Sequence, residues 1–181
     1  MCIRDSFDAL QLTWRPVINP PSVSVNGGVD DIVVKEDGSV DVPVVAELGA
    51  NAAPGEFITV TVTGIDSGWG FSAPLGTYDS ASGVWSVTLP AGENLDTVLS
   101  FTPPSDSDVD LSGLEARVVA TDPAINQTAS AEDDFNVIVD AVSDAPSLSA
   151  EDGSGEEGTT IPVTITTVSY THLTLPTIYS V

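Results

Sequence analysis

Hydrophobic and polar residues alternate through most of this chain, with the period of a β-strand and not that of a helix. In 56–65, Ile58, Val60 and Val62 fall on one side and Thr59, Thr61 and Thr63 on the other. Trp85, Val87 and Leu89 share a side of 83–89, and Phe135, Val137 and Val139 share one of 135–139. In 113–121 the shared side is Leu114, Ala116, Val118 and Ala120. Further strands are predicted at 31–35, 40–47, 75–78 and 96–102. Val, Ile, Thr and aromatic residues suit a pleated, half-buried surface. Between the strands lie turn-forming groups such as Asn26-Gly27-Gly28, Ala53-Pro54-Gly55 and Ala81-Ser82-Gly83. No window has a convincing helical period. Many short strands with turn signals predict an all-β sandwich or barrel. We take the antiparallel β-sandwich, with Val60, Val62, Trp85, Val87, Phe101, Val118, Phe135 and Val137 inside.

The chain also repeats itself. Residues 10–25 align with 135–150 at a constant offset of 125, pairing Leu10 with Phe135, Leu12 with Val137 and Trp14 with Val139. The same offset pairs Val17 with Val142, Pro21 with Pro146 and Ser22 with Ser147. Each copy reads as a strand, a short Pro-bearing hinge and a new strand. Glu36-Asp37-Gly38-Ser39 then matches Glu156-Glu157-Gly158-Thr159 at an offset of 120. A fixed period means a tandem array. The expected organisation is the last strand and hinge of one repeat at 7–20, a complete repeat at 21–145, and the opening of another at 146–167.

Charge narrows the function. The 181 residues carry 27 acidic and 4 basic side chains, a formal net charge of −23. Nucleic acid is excluded as a partner, because a phosphate backbone needs a positive face. An anionic membrane surface is excluded for the same reason, and no run of 18 apolar residues offers a transmembrane span. A surface this acidic repels itself unless counter-ions neutralise it. Bound divalent cations and adaptation to salty water both fit.

Catalysis finds little support, and the chain is expected not to be an enzyme. The single Cys2 and single His172 lie near opposite ends, so no Ser–His–Asp or Cys–His arrangement is available between them. The pattern that stands out is Asp106-Ser107-Asp108-Val109-Asp110, three acids at alternate positions in a Pro-bounded loop. In extended chain such acids point the same way, and calcium takes six to eight oxygen ligands. It is not an EF-hand, since Leu111 and Arg117 stand where glycine and glutamate are needed. A solvated acidic turn is the alternative. Trp69 and Tyr78 are the candidates for stacking on a sugar, although such aromatics more often pack at a sandwich edge.

These motifs together resemble the cadherin-like, immunoglobulin-like repeats of giant bacterial surface adhesins exported by type I secretion. The resemblance rests on Glu36-Asp37-Gly38, TVTVTGI at 59–65, SGVWSVTLP at 82–90 and FTPPSDSDVD at 101–110. VVATDPA at 118–124 and VDAVSDAP at 139–146 complete it. It implies an extracellular, cell-surface or biofilm location, and neighbouring repeats, surface glycans or other cells as partners. It also implies junctions stiffened by calcium. By analogy, Glu36, Asp106, Asp108, Asp140 and Asp144 would serve the C-terminal junction, and Asp122 the opposite one. At the N-terminal hinge Arg15 and Asn19 replace the acids, so the two junctions are expected to differ. The alternative is a carbohydrate-binding or accessory module of a secreted enzyme. Residues 1–6 and 168–181 resemble translated sequencing-adapter read-through and are expected to be foreign to the native chain. In support, 151–157 holds four acids and 168–181 none.

Overall fold

The computed structural model describes residues 17–49, 53–90, 92–142 and 147–167. The expectations for 1–6, for 7–16, for 168–181 and for Asp144 lie outside the described residues. The elements are all strands. In chain order they are β1 (Ser22–Val25), β2 (Asp31–Lys35), β3 (Val40–Glu47), β4 (Phe57–Thr63), β5 (Gly70–Ser72) and β6 (Thr77–Asp79). Then come β7 (Val84–Pro90), β8 (Leu95–Thr102), β9 (Leu111–Asp122), β10 (Gln127–Asp140), β11 (Leu148–Ala150) and β12 (Ile165–Thr167). Among the described residues there is no helix, and so none long and apolar enough to cross a membrane.

Two sheets face each other. One has the order β1-β3-β8-β5 and the other β2-β10-β9-β4-β7-β6, while β11 and β12 form a two-stranded sheet of their own. Alternation explains the core directly. β3 buries Val42, Val44 and Ala46, and β8 buries Leu95, Leu99 and Phe101. From the other sheet β4 contributes Ile58, Val60 and Val62, β9 contributes Leu114, Ala116, Val118 and Ala120, and β10 contributes Phe135, Val137 and Val139. Phe101 meets Phe135 edge to face across the layer, with ring centroids 6.1 Å apart. The acid Asp133 ties the sheets together from the side, where its Oδ2 accepts the Val25 N–H at 2.7 Å.

The expected antiparallel sandwich is found, with one parallel pair: β2 runs along β10, Lys35 opposite Asp140. The turn Asn26-Gly27-Gly28, all three at positive φ, lets the chain leave β1 in one sheet and enter β2 in the other. One expectation about the core is corrected: Val87 is half-buried and does not belong to the deep core. The short edge strand β6 pairs only with Val84, Trp85 and Ser86, so Val87 has no covering strand on that side. The other seven predicted interior residues are at most 1% exposed.

Candidate functional site

The strand ends sort the acids into two groups at opposite ends of the sandwich. β2 and β10 run in parallel and finish together at Lys35 and Asp140, beside the point where β9 begins at Leu111. This end gathers the turn after β2, the 103–110 loop and the chain leaving β10. Glu36 lies at its centre and is 5% exposed. Its N–H donates to the Asp140 carbonyl at 3.1 Å, and its Oε1 accepts the Val142 N–H at 2.7 Å. Its Oε2 is buried without a hydrogen-bond partner. Asp110 makes a similar bond, its Oδ1 accepting the Val139 N–H at 2.8 Å. Side-chain carboxylates thus take the place of a neighbouring strand along the outgoing chain.

Asp106, Asp108 and Asp140 are exposed at the same end, and Asp106 has a left-handed backbone with φ 55°. Among the described residues no three acidic side chains are gathered around one point. Together with Asp110, the described members of the group expected at the C-terminal junction, Glu36, Asp106, Asp108 and Asp140, share an end of the sandwich and are not assembled into one cluster.

A cleft of about 510 Å³ opens beside the loop, bounded in part by Asp66, Trp69, Pro104, Ser107 and Asp110. Trp69 is only 7% exposed, so it serves the sandwich edge more than the cleft. Tyr78 is half-buried against Phe71, with ring centroids 4.6 Å apart. The two aromatics considered for sugar stacking do not form an open row.

The opposite end carries Asp122, the last residue of β9, which is 5% exposed. Its Oδ1 accepts the Ala124 N–H at 2.9 Å and closes the turn into β10. Beside it is Glu56, 2% exposed, which sequence reasoning did not single out. Its Oε2 accepts the Ala53 N–H at 2.8 Å, while its Oε1 is buried without a hydrogen-bond partner. A signal for Glu56 was present, because it continues the inward positions Ile58, Val60 and Val62 by one step. Ile18 and Asn19, ahead of β1, rest on this end. The Ile18 N–H reaches Gln127 Oε1 at 3.4 Å, and Asn19 lies so close to Gly49 that an added Cβ there would sit 2.7 Å from its own Cβ.

Among the described residues no ion pair joins a basic side chain to the acids at either end. Arg117 pairs with Glu132 at 2.6 Å on the outer face of β9 and β10, and Lys35 is exposed.

No protein-family model and no curated protein matches the chain. Solved structures do. The fold is similar to that of BcpA, the major pilin subunit of Bacillus cereus, with TM-score 0.48 and 12% identity over 68% of this chain and 41% of that one. A variant of the same pilin gives TM-score 0.51 and 10% identity over 80% of this chain and 52% of that one. A chain of a cohesin–dockerin complex from Clostridium thermocellum gives TM-score 0.37 and 10% identity over 68% of this chain and all of that one. The chain spans about half the length of the pilin chains it matches. At such identities the likeness is one of fold: an all-β, immunoglobulin-like sandwich.

Proposed function

We propose that this chain is a non-enzymatic structural and adhesive repeat of a secreted bacterial cell-surface or biofilm protein, a spacer whose C-terminal junction is stiffened by calcium. The observation that carries the reading is Glu36. It is a buried carboxylate that fastens the outgoing chain through Val142 and keeps its second oxygen without a partner. A buried acceptor without a partner is costly, and a hard cation removes that cost. Glu36 Oε2 and the carboxylates of Asp106, Asp108, Asp110 and Asp140 would supply oxygens, with Asp144 joining from the hinge. Calcium would contribute charge neutralisation and a rigid link between loop and hinge. A major pilin subunit is built on a similar sandwich, and the proposal carries a structural role of that kind to this chain. Neighbouring repeats are its first partners, with glycans or other cells beyond them.

The test follows the amides of Val139 and Val142 in the full chain by NMR as calcium is added. The expected result is a saturable shift of both, absent when Asp108→Asn and Asp144→Asn are combined. Binding to the folded form alone would stabilise it by about 2.7 kcal/mol at a hundredfold excess over Kd. Magnesium would do less, because it demands tighter octahedral geometry. Sodium chloride at matched ionic strength reproducing the shifts would show the acids to be a solvated surface only.

A further inference from the structure

We infer that the outer face of the β1-β3-β8-β5 sheet docks a partner protein through a basic amphipathic helix, apolar along its centre and rich in lysine or arginine on both sides. β3 and β8 are the two inner strands of this sheet. Their inward positions fill the core, so Asp41, Pro43, Val45 and Glu47 of β3 and Asp96 and Val98 of β8 face solvent. Pro43 stands directly opposite Val98, and Val45 directly opposite Asp96. Pro43, Val45 and Val98 therefore form one apolar patch in the middle of the sheet, with Val45 38% and Val98 39% exposed.

Strand propensity alone does not account for the patch. β4, an inner strand of the other sheet, turns Thr59, Thr61 and Thr63 outward. Threonine suits a pleated surface as valine does and keeps a hydroxyl for water. Proline is rare on an inner strand, because it lacks the N–H of the ladder. Pro43 sits where β1 has already ended. Its carbonyl accepts the Asn26 N–H at 2.8 Å, one step past the last β1 pair, Val25 with Val44. Its ring thus adds apolar surface without breaking the ladder to β8.

An acidic rim selects the partner. Asp41 closes one end of the patch, and Glu47 and Asp96 the other, all three exposed. The positions beside them are small: Ser24 opposite Val45 on β1, and Ser100 opposite Asp41 on β8. The Ser100 hydroxyl donates to the Asp41 carboxylate and holds it against the sheet. Among the described residues the basic side chains are Lys35 on β2 and Arg117 on β9, both in the other sheet. An apolar centre with a rim of one sign is complementary to an apolar stripe between cations. A second copy is disfavoured, because its own acids would meet these, at a net charge of −23 per chain. Four strands about 4.8 Å apart, taken over the length from Asp41 to Glu47, make a platform of roughly 15 by 20 Å. One helix about 10 Å wide covers it in about four turns.

The test titrates the full chain with synthetic peptides of about 15 residues, followed by amide shifts in NMR. The first has a leucine stripe flanked by lysines. The second has the same stripe flanked by glutamates, and the third the same lysines with glutamine in place of leucine. The expected result is a saturable shift of Val45 and Val98 with the first peptide, while Thr61 and Arg117 on the opposite outer face stay unmoved. The other two peptides should bind about tenfold more weakly or worse. Val98→Lys should weaken the first peptide by about tenfold or more, and Val98→Thr, which suits the strand equally, by about threefold or more. Val139 and Val142 should not move, so this result stands apart from calcium at the C-terminal junction. The proposal is overturned if Val45 and Val98 do not respond, if Thr61 and Arg117 respond equally, if the lysine–glutamine peptide binds as well as the first, or if Val98→Lys binds unchanged. Sedimentation showing a dimer that Val98→Lys dissolves would also overturn it, since the face would then serve a second copy.

Discussion

The Glu36 carboxylate accepts the N–H of Val142 at 2.7 Å, joining positions 106 residues apart in sequence. The beginning of the sandwich thereby holds the chain that leaves it. Glu36→Ala removes this link and should cost about 1–2 kcal/mol. Glu36→Gln keeps an acceptor oxygen and should cost less. Urea melts give the magnitudes. Hydrogen exchange at Val142 reads the link itself, and its amide should exchange faster in Glu36→Ala than in Glu36→Gln.

The aromatic layer sets the strength of the core. Phe101 is fully buried between Phe71 and Phe135, with ring centroids at 5.3 and 6.1 Å. Phe101→Ala should destabilise the chain by about 3–5 kcal/mol, through lost burial and the cavity left behind. Val87→Ala should cost about 1 kcal/mol or less, because half-buried Val87 loses less contact and its site opens toward solvent. Denaturant melts of the two variants should differ by more than twofold in effect.

Gly83 and Gly27 both have positive φ, 65° and 66°, yet their surroundings differ. A Cβ at Gly83 would lie 2.2 Å from the Ile65 carbonyl oxygen, whereas one at Gly27 meets nothing within 4 Å. Gly27→Ala should cost about 1 kcal/mol, the strain of the left-handed backbone alone. Gly83→Ala adds a backbone collision and should cost more than about 2 kcal/mol. Equal melting temperatures for the two variants would contradict this packing.

The turn after β6 makes a prediction about pH. Hydrogen bonds to the Asp79 carboxylate from the Ser82 hydroxyl, first, and the Ala81 N–H hold its pKa below the usual carboxylate range. Its contribution to stability is therefore present above the ordinary aspartate pKa and is lost as pH falls through the lowered folded value. Full exposure keeps the effect small. NMR titration should place Asp79 below an unbonded surface aspartate, and Ser82→Ala should move it back up.

Strands were legible where one face is fully buried. Alternation in β3, β4 and β9 marked which side chains enter the core, because a strand with one wet face must alternate. The first half of β10 was not legible. From Gln127 to Asp134 it carries polar and small side chains that are no more than half-buried, so no apolar signal marks its pairing with β9. Parallel pairing of β2 with β10 was also hidden, since alternation names faces and not neighbours. Of the acids, the loop at Asp106 to Asp110 drew attention by its spacing. Glu56 did not, because a carboxylate at an inward position looks like the end of a strand until the register sets it opposite Asp122. Glu36 was noticed through a motif, but its bond to Val142 depends on a contact between the two ends of the sandwich's chain.

Calcium should stiffen the chain where it leaves the sandwich, and backbone relaxation measures that stiffness directly. The {¹H}–¹⁵N heteronuclear NOE of Val142, Ser147 and Leu148 should be compared with that of β9 and β10 amides, with and without millimolar calcium. Calcium should raise the values for these three residues toward those of β9 and β10, while matched sodium chloride should not. Values that stay unchanged in calcium, or that rise equally in sodium chloride, would contradict it.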